Sequence, residues 1–497
     1  MSLCLTICPP PYYRVLLIVL LLISVTSGCA VNPATGARDF VLMSEDAEIK
    51  LGRESHQQVI NQFGLYDAPA LQAYVQSVGE KLALNSHRSD LVYRFTVLDS
   101  DQVNAFALPG GYIYITRGIM AYLNSEAELA AVLGHEIAHV TARHGVQQAS
   151  QQQATGFGYL IGSIFVPELR TSSGQNLFNI LGTAWIRGYG REHELEADSL
   201  GAEYIARSGY APAAIIEVIG VLKDQETFDK DLAKIEGREP RAYHGLFATH
   251  PRNDTRLQEV VGKANALARA DTSLVNRDEY LSKIEGMTFG DSEAQGIRRD
   301  SSFYHASLGF ALDFPKGWKV DNQPQSIIAQ AHQGAAVIQL AAEDINKRID
   351  ANEFIKTRLK VKSLKQGRAL SSHGLDGYTG ITRGNTPFGQ RDIRISVIYL
   401  GDKAYTFFAT TKQAGAIDTF DVAFLTTVES FHRLSDEERP LAKALSIQII
   451  TAKEGDTYAG FARQARIPNY AESQLRLMND QYPQGEPVPG QRIKIVK

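Results

Sequence analysis

His135-Glu136-Ile137-Ala138-His139 lies inside an Ala-rich run, SEAELAAVLGHEIAHVTARHG, that opens on Ser125-x-x-Glu128. Ala, Leu and Glu favour helix, and Ser followed three residues on by Glu satisfies orphan amide donors at a helix start. The pattern predicts one helix from Ser125 to about Gln153. Residues four apart share a helix face, so His135 and His139 project together. Their separation suits a single Zn²⁺ about 2.0–2.1 Å from each imidazole nitrogen. Glu136 sits beside them, where it can take a proton from a water the metal activates and hand it to a leaving amine.

Such a site needs a third protein ligand. Cys4, Cys8 and Cys29 all fall in the first 29 of 497 residues, so the rest of the chain has no thiolate site or disulfide framework. The ligand must be His or carboxylate. Glu194-Leu195-Glu196-Ala197-Asp198 occupies a later helical stretch. At roughly 100° per residue, Glu194 and Asp198 share a face while Glu196 points about 160° from Asp198. Glu194 then reads as the third ligand and Asp198 as the acceptor of a ligating histidine's Nδ1–H, which fixes the tautomer. Glu196 reads as surface or structural. His144, about 140° around the helix from His139 on the same arithmetic, reads as a structural hydrogen-bonding residue.

Around this constellation, residues 44–64 and 68–86 have polar helical periodicity and 93–99 alternate as a strand. VNAFAL (103–108) and YIYIT (112–116), split by Pro109-Gly110-Gly111, read as a hairpin. Residues 156–190 mix Gly with apolar stretches and yield no element. Helices are expected over 191–207 and 212–225, an exposed loop over 228–245, and one more helix after Thr249-His250-Pro251. From 303 to 433, strands (FALDF, AVIQLAA, RISVIYL, AYTFFATT) alternate with helical stretches near 351–363 and 418–430. After a charged linker, the last 50 residues read strand, helix, helix, strand. The fold class expected is multidomain α+β: a mainly helical zincin-type domain, a small α/β sandwich and a βααβ unit.

The amino terminus carries Arg14, then an apolar run from Val15 to Ile23, then small polar residues. That run is shorter than the roughly 20 residues a bilayer core requires; it fits a secretory signal peptide with a short apolar region. Lys plus Arg number 51 against 55 Asp plus Glu, a net charge of −4. No basic excess speaks for nucleic acid as a partner.

Several segments resemble known families. Thr26-Ser27-Gly28-Cys29 resembles the lipobox of bacterial lipoproteins, with Thr26 where Leu is usual; the resemblance implies acylation of Cys29, and Ala30 after it implies the outer membrane. LGHEIAHVTARHG and RGYGREHELEADSLGAEYIA, preceded by VNAFALPGGYIYITRG and followed by THPRNDTR, resemble the HtpX/BepA-like gluzincin metallopeptidases, relatives of the CAAX prenyl proteases. One departure is Gly190, where Ser often precedes Arg191. The resemblance implies zinc on His135, His139 and Glu194, Glu136 as base, and Asp198 as its partner carboxylate. It also implies that Asn104, Ala105 and Phe106 form an edge strand pairing with extended substrate, and that His250 lies near the zinc. LGFALDFPKGWKV and TVESFHRLS resemble the PsbP fold, which names no chemistry. Gly455-Asp456-Thr457, Asn479 and Pro489-Gly490-Gln491 resemble the turns of LysM modules, which bind peptidoglycan glycans.

The domain map expected is therefore signal peptide 1–28, tether 29–43, zinc peptidase domain 44–270, linker 271–302, α/β sandwich 303–434, linker 435–446 and LysM-like unit 447–497. The function expected is a zinc endopeptidase, anchored to the outer membrane by acylated Cys29 and facing the periplasm, that hydrolyses unfolded or misassembled envelope proteins. Two alternatives stay open: an outer-membrane-protein assembly factor or chaperone with little proteolysis, and a cell-wall factor led by peptidoglycan binding through 447–497.

Overall fold

The computed structural model describes residues 29–151, 189–236, 254–268, 273–324 and 326–497. The expected signal peptide 1–28, most of 156–190, and Thr249-His250-Pro251 lie outside the described residues.

A small hairpin, β1 (Cys29–Val31) with β2 (Arg38–Phe40), opens the described chain. Helix α1 (Glu45–Phe63) follows, capped by the Ser44 side chain, and α2 (Pro69–Ala83) begins with Pro in its first turn, where the missing N–H costs nothing. Strands β3 (Arg94–Leu98), β4 (Ala105–Leu108) and β5 (Tyr112–Thr116) form a sheet in the order β3-β5-β4. The β4–β5 hairpin turns through Gly110 and Gly111, both at positive φ, where a Cβ is strained. Short α3 (Arg117–Tyr122) leads to α4 (Glu126–Thr141). Ser125 caps α4 by accepting from the Glu128 amide at 3.1 Å.

Every residue of α4 is buried, as expected of a helix apolar on most of its circumference. It lies against β4, whose two faces serve different neighbours. Ala105 and Ala107 join the cluster holding Leu129, Ala130 and Leu133 of α4, and their small side chains let the helix come close. Phe106 and Leu108 pack with Val59 of α1 and with Tyr112 and Tyr114. The sheet is thus covered on both faces, which explains why β4 and β5 lack polar alternation.

The single helix expected to Gln153 is corrected. It stops at Thr141; Arg143 sits at φ 58°, and helix resumes over 144–151. Long-range bonds hold the break: Arg143 donates to Glu48 Oε2 (2.9 Å) and to the Met43 carbonyl (3.0 Å). Helix α5 (Arg191–Arg207) packs on α4, and α6 runs from Ala214 to Glu236, eleven residues past its expected end at Gln225, so the first part of the expected loop 228–245 is helical. Helix α7 (Asp254–Leu267) completes this group.

The segment 271–302 is more than a linker. It holds α8 (Arg277–Ile284) and strands Thr288–Phe289 and Ile297–Arg299. Beyond it, seven antiparallel strands form one sheet over residues 319–411. Along Gly389–Leu400 the side chains alternate: Ile395, Val397 and Tyr399 meet Phe354 and Ile355 of the helix Ala351–Thr357, while Ile398 and Leu400 meet Phe424 and Val428 of the helix Ile417–Glu429. A helix on each face makes a sandwich.

The C-terminal strand, helix, helix, strand are Leu445–Thr451, Tyr458–Ala462, Ala471–Met478 and Arg492–Val496. They do not stand apart. Leu445–Thr451 pairs with Thr288–Phe289, and Ile447, Tyr458, Leu475 and Ile493 share a core with Leu129 and Leu133 of α4. Buried Lys494 donates to the carbonyls of Ala121 (2.9 Å) and Leu123 (2.6 Å), two to four residues before the α4 cap. Burial holds its ammonium well below the usual lysine range and pushes nearby Glu128 up to about 7. No helix among the described residues is long and apolar enough to cross a membrane.

Replacing Lys494 with Met removes the donor from two buried carbonyls, at an expected cost of about 1–3 kcal/mol. A melting temperature below the parent's checks this; an unchanged one contradicts the strut.

Candidate metal centre

Two glycines let α4 and α5 cross at close range. A Cβ on Gly201 would stand 3.1 Å from the His135 amide nitrogen and 3.2 Å from the Gly134 carbonyl carbon; one on Gly134 would stand 3.1 Å from Ile205 Cγ2. The crossing carries Glu194, in the first turn of α5, to the histidine pair on α4. His135, His139 and Glu194 are all buried, and their ligand atoms lie within 4.8 Å of one another. His135 Nε2 and His139 Nε2 are 3.0 Å apart, and the Glu194 oxygens lie 3.6 and 3.5 Å from them. Ligands about 2.0–2.1 Å from one tetrahedral ion stand about 3.3 Å apart. The three donors therefore fit one face of a tetrahedron, and two imidazoles with one carboxylate are a donor set zinc accepts.

The groups behind the donors are placed as firmly. Asp198, one turn after Glu194, puts Oδ1 2.9 Å from His135 Nδ1. Behind His139, the break at Arg143 swings His144 round so that its Nδ1 lies 2.9 Å from His139 Nδ1. The sequence reading placed His144 on a continuous helix, which the break at Arg143 corrects; Glu196, read as surface or structural, is half-buried. Glu196 Oε2 faces His144 Nε2 at 3.5 Å and its Oε1 accepts from Asn32 Nδ2 at 3.1 Å. The proximity of His144 holds the Glu196 carboxyl below the usual carboxylate range. Burial depresses His193 to about 4.

Glu136 is fully buried. Its charge, with that of Glu194, adds to burial in pushing the Tyr189 phenol far above its ordinary range. Tyr189 stacks on the His139 ring at 4.1 Å, with 18° between planes. Sequence reasoning missed Tyr189, His193 and Asn32, since none sits at a periodic position relative to the motif. Asn104, Ala105 and Phe106 are buried at and just before the start of β4, the outer strand of its sheet, and the Asn104 carbonyl accepts from the Thr116 amide at 3.0 Å.

Residues 69–264 match Peptidase family M48. A beta-barrel assembly-enhancing protease of Yersinia pestis is 29% identical over 272 residues, covering 53% of each chain. That of Escherichia coli (strain K12) is 28% identical over 366 residues, covering 70% of this chain and 72% of its own. The mitochondrial metalloendopeptidase OMA1 of Schizosaccharomyces pombe is 26% identical over 231 residues, 46% of this chain and 64% of its own. The solution structure of cyanobacterial PsbP from Synechocystis covers 28% of this chain and 93% of that one, at 19% identity and a TM-score of 0.22, a likeness too slight to carry an assignment.

Gly201→Val wedges a branched side chain into the α4–α5 crossing. It is expected to destabilise the fold by about 1–3 kcal/mol and to lower bound metal, read from the melting temperature and metal content of one preparation. Parent-like values in both contradict the close crossing as the device that assembles the donors.

Proposed function

We propose that the chain, whose residues 69–264 match Peptidase family M48, is a zinc endopeptidase of the bacterial cell envelope that hydrolyses unfolded or misassembled proteins. The observation that carries the reading is the clustering of His135, His139 and Glu194 donors within 4.8 Å on two crossing helices. Zinc there supplies a Lewis acid that polarises the scissile carbonyl and lowers the pKa of water toward 7. The chain's own residues do the rest. Glu136, next to the ligands, takes the proton of the attacking water and returns it to the departing amine. Asp198 accepts the His135 Nδ1–H, leaving Nε2 free to bind metal. The β4 edge beginning at Asn104, Ala105 and Phe106 receives extended substrate as an added strand, so main-chain bonds give affinity with little demand on side-chain sequence.

The substrate class rests on relatives named beta-barrel assembly-enhancing proteases. The location rests on the lipobox-like Thr26–Cys29, with acylated Cys29 holding the protein to outer-membrane lipid. The LysM-like turns at Gly455 and Pro489 support a peptidoglycan contact by 447–497, and the PsbP-like sandwich at 303–434 has no role assigned.

Glu136→Gln keeps the shape of the site and removes the base. It is expected to retain one zinc per chain and to cut cleavage of an unfolded protein such as casein by about 10²–10⁴-fold, measured by gel assay and metal analysis together. Zinc in both proteins with cleavage in neither replaces this reading with the assembly-factor one. Asp198→Asn is expected to weaken zinc binding by about 10–100-fold, and parent-like affinity in a chelator competition removes Asp198 from its assigned role.

A further inference from the structure

We infer that His144 and Glu196 form a positioning relay for His139, an inference that rests on reading His135, His139 and Glu194 as the zinc ligands. His139 turns Nε2 toward the other two donors, 3.0 Å from His135 Nε2 and 3.5 Å from Glu194 Oε1. A neutral imidazole that ligates through Nε2 carries its proton on Nδ1. That Nδ1 lies 2.9 Å from His144 Nδ1, and two protonated nitrogens cannot face one another at this distance. His144 therefore presents a lone pair there and carries its own proton on Nε2. Its Nε2 lies 3.5 Å from the Glu196 carboxylate, so the negative end of the relay acts on that N–H as a close charge.

The far end is fixed as well. Asn32 donates to Glu196 through Nδ2 while its Oδ1 accepts from the amides of Ala34 (2.9 Å) and Thr35 (3.3 Å), which sets the carboxamide orientation. His193 stacks on the His144 ring at 4.3 Å, with 17° between planes, and holds its plane. His144 is fully buried, whereas the Glu196 side chain is 27% exposed. Each member fixes the tautomer or orientation of the next, and the final acceptor polarises the His139 Nδ1–H bond, making Nε2 a better ligand. A carboxylate one imidazole removed thus does for His139 what Asp198 does directly for His135. Without the break at Arg143, His144 could not reach its place.

The test is zinc affinity of the full chain, by competition with a chromophoric chelator, beside the melting temperature of the metal-free protein. Glu196→Gln keeps size and removes charge; His144→Phe keeps a ring and removes the acceptor; His144→Asn returns an acceptor oxygen. The first two are expected to weaken zinc affinity by about 10–100-fold with the metal-free melting temperature unmoved, and His144→Asn to recover most of the loss. Parent-like affinity in Glu196→Gln overturns the relay, and if His144→Phe does not fold, that variant alone decides. A lower metal-free melting temperature with affinity intact marks a structural contact only and overturns it too. A parent that binds no zinc overturns the zinc reading and the relay together, whereas a parent with one zinc and indifferent variants overturns the relay alone.

Discussion

The close crossing of α4 and α5 at Gly134 and Gly201 is the constraint on which the site depends. A histidine pair on one helix can offer two ligands; the third has to come from another element at a distance set by backbone contact. Helices ordinarily pack with axes about 8–10 Å apart, depending on the side chains between them. With hydrogen in place of Cβ on both sides, Gly201 comes within van der Waals reach of the His135 amide. Only then does a side chain as short as Glu194 reach both imidazoles while Asp198, one turn on, reaches the back of His135. The same crossing places a ligand and its orienting group in one stroke, because both lie on the same face of α5.

The burial of α4 makes this geometry rigid. β4 packs under it through Ala105 and Ala107, α5 crosses it, and the C-terminal unit closes the same core through Ile447 and Leu475. The Lys494 contacts fall just before the Ser125 cap, so the last strand of the chain helps fix where the motif helix starts. The C-terminal unit is therefore part of the support of α4. A linker before residue 447 would have left it an independent module; strand pairing with Thr288–Phe289 instead ties it to the residues that follow α8.

Much of the candidate site was legible because helix arithmetic is local. The i, i+4 spacing fixes which of residues 135, 139, 194 and 198 share faces whatever else the chain does, and the Ser125 cap marks where the helix begins. In the middle region alternation marked the strands Ala336–Asp344, Gly389–Leu400 and Lys403–Thr411, whereas Lys319–Gln323, Ser326–Gln330, Lys365–Ser372 and Leu375–Thr386, rich in polar residues or glycine, went unread. The arithmetic failed where a non-local bond overrode it. Arg143 takes a left-handed conformation because Glu48 and Met43, almost a hundred residues upstream, hold its guanidinium. No periodicity reports such a bond, so His144 was projected along a helix that breaks just before it. The extra length of α6 was missed for a related reason: its charged second half is what a solvent-facing helix and a loop have in common.

The charge balance of the centre gives a separate reason to expect a cation there. Glu136 and Glu194 are fully buried and Asp198 is 2% exposed, so three carboxylates stand within one dry region. Among the described residues, His135 and His139 lie against Glu194 and His135 against Asp198, and both imidazoles must be neutral to ligate a metal. Ionised carboxylates are costly in an apolar interior unless countercharge or hydrogen bonds offset them. A divalent ion between His135, His139 and Glu194 would offset much of the negative charge these carboxylates bring into the interior. Ion binding and folding are then linked through the same carboxylates, since whatever binds the native state alone stabilises it. Metal removal should therefore lower the melting temperature, and the metal site and the packing of α4 on α5 become two readouts of one arrangement.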